Sequence, residues 1–164
     1  MSTEHAPGAV TMRTEGRIAV ITVENEAKKN SYTPEMMEQL SEHLTAFDDD
    51  DELWVAVLCS AGDHTTAGLD MAKFFGPDAS AEPRSDDKVD PFGLGGRRSR
   101  KPVIAAAQGI TYTVGIELML AADIAVAADS ARFQQLESRR GIAPFGARTS
   151  GTSPAPGGAT RCTT

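Results

Sequence analysis

Two glutamates stand where a carboxyl could move protons. Glu117 lies in the run GIELMLAA, beside an apolar stripe of Val114, Leu118 and Ala121 at helical spacing. Burial against such a stripe disfavours the charged carboxylate and raises its pKa, which suits it to acid–base work. Glu137 lies in FQQLESRRG, next to Arg139 and Arg140, where a surface ion pair is the plain alternative to chemistry. Other reactive types form no pattern. Cys59 and Cys162 are not spaced as a CxxC pair, and His5, His43 and His64 are scattered, so no metal site is expected. The acidic run Asp48 to Glu52 lacks the spaced ligands and central glycine of a calcium loop and reads as a solvated loop. His64 reads as a loop residue. Asp123 reads as structural, closing a helix before a strand.

The elements that must position these groups follow from hydrophobic pattern. Ile18 to Val23 (IAVITV) and Trp54 to Cys59 (WVAVLC) are continuous β-branched and apolar runs, the mark of buried strands. Val103 to Ala107 and Ile124 to Ala128 are two further short buried strands. Between the first two, Thr33 suits an N-cap, Pro34 the first helical position and Glu35 the positive end of the helix dipole. Met37, Leu40, Leu44 and Phe47 then make a core-facing stripe. A second helix starts near Val114. Residues 76 to 99, rich in Pro, Gly and Asp, read as a long mobile loop.

Strands and helices therefore mix in one α/β domain, and 164 residues suffice for its core. A dinucleotide-binding domain would share that pattern. No GxGxxG follows the first strand, where the turn is Glu24 to Lys29, and no P-loop is present. The formal net charge of -7 argues against nucleic acid as a general partner. No stretch is apolar enough to span a membrane, and the first residues lack a signal-peptide pattern, so a cytoplasmic location is the default.

Three segments, in order, resemble the enoyl-CoA hydratase/isomerase, or crotonase, superfamily. GRIAVITVENEAKKNSYTPEMMEQL is similar to the family's opening strand, its turn (here Asn30-Ser31) and its first helix. TTAGLDMAKF, residues 65 to 74, resembles its Ala-Gly-x-Asp segment. KPVIAAAQGITYTVGIELMLAADIAVAADSARFQQLESRRGIAP, residues 101 to 144, resembles its longest signature. The resemblance covers residues 10 to 146. It implies a crotonase-like ββα spiral over residues 1–146, lacking the family's C-terminal helical trimerisation segment.

The resemblance also implies the chemistry. A CoA thioester reacts at its α and β carbons once negative charge on its oxygen is stabilised, and two fixed backbone N–H groups can do this. The family's positions map to the amides of Leu69 and Val114. Ala67, Gly68, Leu69, Asp70, Met71 and Val114 map to its substrate-binding segment, although Asp70 equally reads as a cap for its own loop. Glu117 and Glu137 map to the family's two catalytic glutamates. The implied reaction adds water to a 2-enoyl-CoA to give a 3-hydroxyacyl-CoA, with Glu117 activating the water and Glu137 supplying the α-proton. Paired carboxyls titrate as a unit, so that division stays open. Isomerase-like and other crotonase reactions remain alternatives, as does an inactive fragment. No cofactor is implied, since coenzyme A is part of the substrate. The family's assembly is a homotrimer or hexamer. Lys28 and Lys29 are either contacts for CoA phosphates or plain solvated lysines.

The chain departs from the pattern in three places. The family's three-glycine turn reads Thr113-Val114-Gly115, Leu136 stands where Pro is usual, and Arg139-Arg140 replace apolar residues. An unusual acyl group is the expected consequence. After Gly146 the resemblance stops, and ARTSGTSPAPGGATRCTT, residues 147–164, reads as an aberrant disordered tail. Regrouping each codon's third base with the next two bases makes residues 149 to 164 compatible with HFRYLSRTGWGDAMYH, which is closer to the family. A single-base insertion or deletion near codon 147 is the expected origin. Resequencing the DNA onward from codon 140 checks this, and finding no family-like open frame there sinks it.

Overall fold

A computed structural model describes residues 8–77 and 86–141. The tail 147–164, and with it the reading of a disordered or frameshifted end, lies outside the described residues.

The chain opens with a hairpin. β1 (Ala9–Glu15) pairs antiparallel with β2 (Ile18–Glu24). Gly16 takes a φ of 59° in the tight turn between them. β1 escaped the sequence reading because its signal is alternation, with Val10 and Met12 between polar neighbours, rather than an apolar run. β2 behaves as expected: Ala19, Ile21 and Val23 are fully buried.

α1 (Pro34–Asp49) follows, and the Thr33 side chain accepts a hydrogen bond from the Met36 amide, as an N-cap should. Met37, Leu40, Leu44 and Phe47 are all buried. β3 (Val55–Ser60) lies parallel to β2, and β4 (Val103–Ala107) parallel to β3. Trp54 stays outside β3, 62% exposed, with the Arg17 guanidinium over its ring. α2 (Met71–Phe75) is a single short turn. β5 (Ile110–Tyr112) leads into α3 (Val114–Ala121). β6 (Ile124–Ala127) then joins β4, completing a five-stranded sheet in the order β1-β2-β3-β4-β6. β7 (Arg132–Gln134) makes a separate parallel pair with β5, and a 3-10 turn covers Glu137–Arg140. The Asp123 carboxylate accepts from the Val103 amide at 2.9 Å and so ties the start of β4 to the start of β6.

Three expectations are corrected. The acidic run is not wholly a solvated loop. Asp48 belongs to α1, its side chain is fully buried, and Arg97 and Arg100 reach it. Charge type alone conceals this, because the partners lie some fifty residues away in sequence. Residues 86–99 are not a free loop either. Val89 and Phe92 join the core, the Ser41 hydroxyl donates to the Val89 carbonyl, and the Val89 amide donates to Thr45 Oγ1. Residues 78–85 of that segment lie outside the described residues. Finally, β6 is not buried. Ile124 and Val126 are 53% and 55% exposed, and no strand flanks β6 on its outer edge among the described residues.

Candidate active site

The site is built from a main-chain frame. Asn30 is fully buried at a φ of 55°, a conformation its short polar side chain tolerates. Its Nδ2 donates to the carbonyls of Ala61 and His64 at 2.8 and 2.7 Å, and its Oδ1 accepts from the Asn25 amide. The stretch after His64 is thereby pinned beside the turn that ends at Tyr32.

The following amides are engaged one after another. Thr65 donates to the Gln108 carbonyl, Thr66 to Ile110, Ala67 to Lys29 and Asp70 to Tyr32, while Gly68 N–H reaches Thr66 Oγ1 at 3.0 Å. Only Leu69 in this run has an amide with no acceptor among the described residues. Its neighbours on both sides are fixed, so that N–H is held in place and left open. The Tyr112 amide donates to the Thr66 carbonyl, which lays the stretch against β5.

β5 then delivers the second open amide. The Thr113 amide donates to the Gln134 carbonyl, and the Thr113 carbonyl accepts from Ile116 and Glu117, opening α3. Val114, the first residue of α3, has no acceptor for its N–H among the described residues, as helix geometry requires of a first turn. Gly115 lets α3 start this close. A Cβ there would lie 2.7 Å from Thr66 Cγ2. Gly68 is equally forced. Its φ is 114°, and a Cβ would lie 2.6 Å from Thr113 Oγ1. The two segments that carry the Leu69 and Val114 amides are therefore in direct contact.

The carboxyls hang from the same frame. Glu117 lies in the first turn of α3 and is 6% exposed. Glu137 follows β7 by three residues, and β7 is paired with β5, so both acidic residues leave one two-stranded ladder in the same direction. Glu137 Oε2 is buried without a hydrogen-bond partner among the described residues, as are both amide atoms of Gln135. Unsatisfied buried polar atoms are rare and call for an explanation. A surface ion pair would not leave Oε2 in that state.

The remaining candidates have plainer places. Asp70 caps α2 through the Lys73 amide and pairs with Lys28 Nζ at 2.7 Å, a hydrogen bond that holds its carboxyl below the usual range. Lys28 is thus already engaged, and Lys29 contributes its carbonyl to Ala67. Ala67 is half-buried beside Gly68, and Met71 is exposed at the start of α2. A small cavity under α3 is lined by Tyr32, Leu58, Ala105, Gly115, Leu118 and Met119. It includes neither glutamate nor Leu69 nor Val114. No group of His, Cys, Asp and Glu suited to a metal ion occurs among the described residues. Nor is any helix there long and apolar enough to cross a membrane.

Sequence reasoning took Asn30 for a turn residue and passed over Tyr32 and Thr66. Their contributions are hydrogen bonds to distant main chain, which leave no periodic trace.

Solved structures place this fold in a class. The mixed α/β chain matches a probable enoyl-CoA hydratase/isomerase from Mycobacterium abscessus with a TM-score of 0.77 and 38% identity, over 84% of this chain and 53% of that one. The fold is the crotonase fold. The enoyl-CoA hydratase/isomerase family model matches residues 13–153, and the chain belongs to that family. Among curated relatives, a probable peroxisomal enoyl-CoA hydratase of Arabidopsis thaliana is 35% identical over 79% of this chain and 48% of its own length. An enoyl-CoA hydratase of Mycobacterium tuberculosis is 30% identical over 87% and 54%. The chain spans about half the length of the curated relatives it matches.

Proposed function

We propose that this site adds water across the 2,3 double bond of an enoyl-CoA thioester. The observation that carries the reading is the pair of open amides, Leu69 and Val114, on two segments locked together by main-chain bonds. Two such donors match the charge that develops on a thioester oxygen when its β carbon is attacked. In the proposed step a water oxygen bonds to the β carbon and gives a proton to the Glu117 carboxylate. The π electrons move onto the thioester oxygen, and the α carbon then takes a proton from the Glu137 carboxyl. The buried, unpartnered Oε2 of Glu137 suits a proton-carrying group.

The test is a panel of CoA thioesters offered to the chain. Hydration of a 2-enoyl-CoA appears as loss of the conjugated absorbance with formation of a 3-hydroxyacyl-CoA. Conversion of a 3-enoyl-CoA without hydration would replace the reading with a double-bond shift. A second reading, binding without turnover, is favoured by one observation. Leu120, Ile124, Val126 and Phe133 are all 42% exposed or more, so large apolar side chains of α3, β6 and β7 lie uncovered among the described residues. Affinity for the thioester with no product would select it.

A further inference from the structure

Thr113 occupies a conformation that a β-branched residue rarely takes. Its φ is 46° and its ψ -105°, outside even the small left-handed region open to ordinary side chains. The strain is held by bonds on both sides, from its amide to Gln134 and from Ile116 and Glu117 to its carbonyl. The residue is 9% exposed, and its hydroxyl makes no hydrogen bond among the described residues, although it is not sealed from solvent. It does not cap α3, although it stands at the N-cap position.

Where the hydroxyl sits is informative. Thr113 Oγ1 lies 2.6 Å from the point that a Cβ on Gly68 would occupy. Gly68 shares a peptide plane with the Leu69 amide, and Thr113 shares one with the Val114 amide. The hydroxyl is therefore carried by the residue before one open amide and lies against the residue before the other. A hydroxyl with no partner of its own, and reachable from outside, can donate to whatever binds beside it. Resting on the proposed thioester chemistry, we infer that Thr113 Oγ1 is a third hydrogen-bond donor to the thioester oxygen. It makes this site a three-donor anion pocket.

The test uses an aryl-conjugated enoyl-CoA, whose absorption moves to the red when its carbonyl is polarised. Thr113→Val keeps the shape and branching and removes the donor. Thr113→Ser keeps the donor. The wild-type chain and Thr113→Ser are expected to shift the bound chromophore alike, and Thr113→Val to lose a large part of the shift while melting at nearly the same temperature. Turnover, where measured, falls with it on the order of 10²-fold in kcat with little change in KM, as for loss of one donor to an oxyanion. Thr113→Gly relieves the backbone strain, so it is expected to melt no lower than wild type and still to lose the shift. A full red shift in Thr113→Val overturns the inference alone. A wild-type chain that binds no thioester, or binds it without any shift, overturns the thioester reading and this inference with it.

Discussion

Replacing Glu117 by Gln is expected to lower hydration of a 2-enoyl-CoA by about 10²- to 10⁴-fold, the range typical of a positioned acid–base group. Gln has nearly the shape of Glu, so the buried first turn of α3 keeps its packing, but an amide cannot take a proton from water. Glu137→Gln is expected to do the same by removing the α-proton donor. The two changes together should cost little more than either one, because residues that act as a unit are not additive. Thioester affinity should change little throughout, since the Leu69 and Val114 amides are main-chain groups. Rates and affinities measured on the same preparations check this. Turnover that survives both replacements removes the carboxyls from the mechanism.

The second large effect concerns stability and lies away from the site. Burial opposes a charge on Asp48, but hydrogen bonds from the Arg97 guanidinium and from the Arg100 amide and side chain outweigh it and hold the carboxyl at about 2. The Arg97 contact is 2.5 Å and the Arg100 amide contact 2.6 Å. Asp48→Asn leaves these donors facing a neutral group at the end of α1. Because Arg100 is largely exposed, the loss at neutral pH is expected at about 2–3 kcal/mol, below that of a fully buried pair. The sign with pH follows from a folded pKa below the unfolded value of about 3.9. The stabilisation is complete above that value and fades as pH falls from about 4 towards 2. Urea melts at pH 7 and pH 3 should therefore show a gap between wild type and Asp48→Asn that narrows in acid. Equal midpoints at pH 7 would make the network ornamental. Because Arg97 and Arg100 lie in and just after residues 86–99, the same change should loosen Val89 and Phe92 from α1.

How much of this could be read from the residues depends on where each feature's cause lies. β2, β3 and β4 announce themselves as apolar runs, β2 with both faces buried and β3 and β4 with one face buried and the other half-buried, and α1 is marked by its cap and stripe. β1, with only alternation, and the three-residue strands β5 and β7, with no room for any period, do not. β6 has the composition of a buried strand and is nonetheless exposed. An apolar run says what a segment would prefer, not whether something covers it. In the site, the named amides and glutamates came from resemblance to a family. The frame that holds them shows only in the folded chain, because the side chains of Asn30 and Thr66 and the Thr113 amide donate to main-chain carbonyls distant in sequence.

That frame has an evolutionary consequence. Both open amides belong to the backbone, so the side chains of Leu69 and Val114 can be exchanged without removing either donor. Gly68 and Gly115 cannot vary in the same way, since any added carbon collides with its neighbour. Selection on this protein thus meets two kinds of position at arm's length from each other: a pair of glycines that tolerates almost nothing, and adjoining residues whose side chains answer to core packing rather than to the donors. On the proposed chemistry, descendants can exchange the second kind for other side chains that pack while both open amides are inherited unaltered.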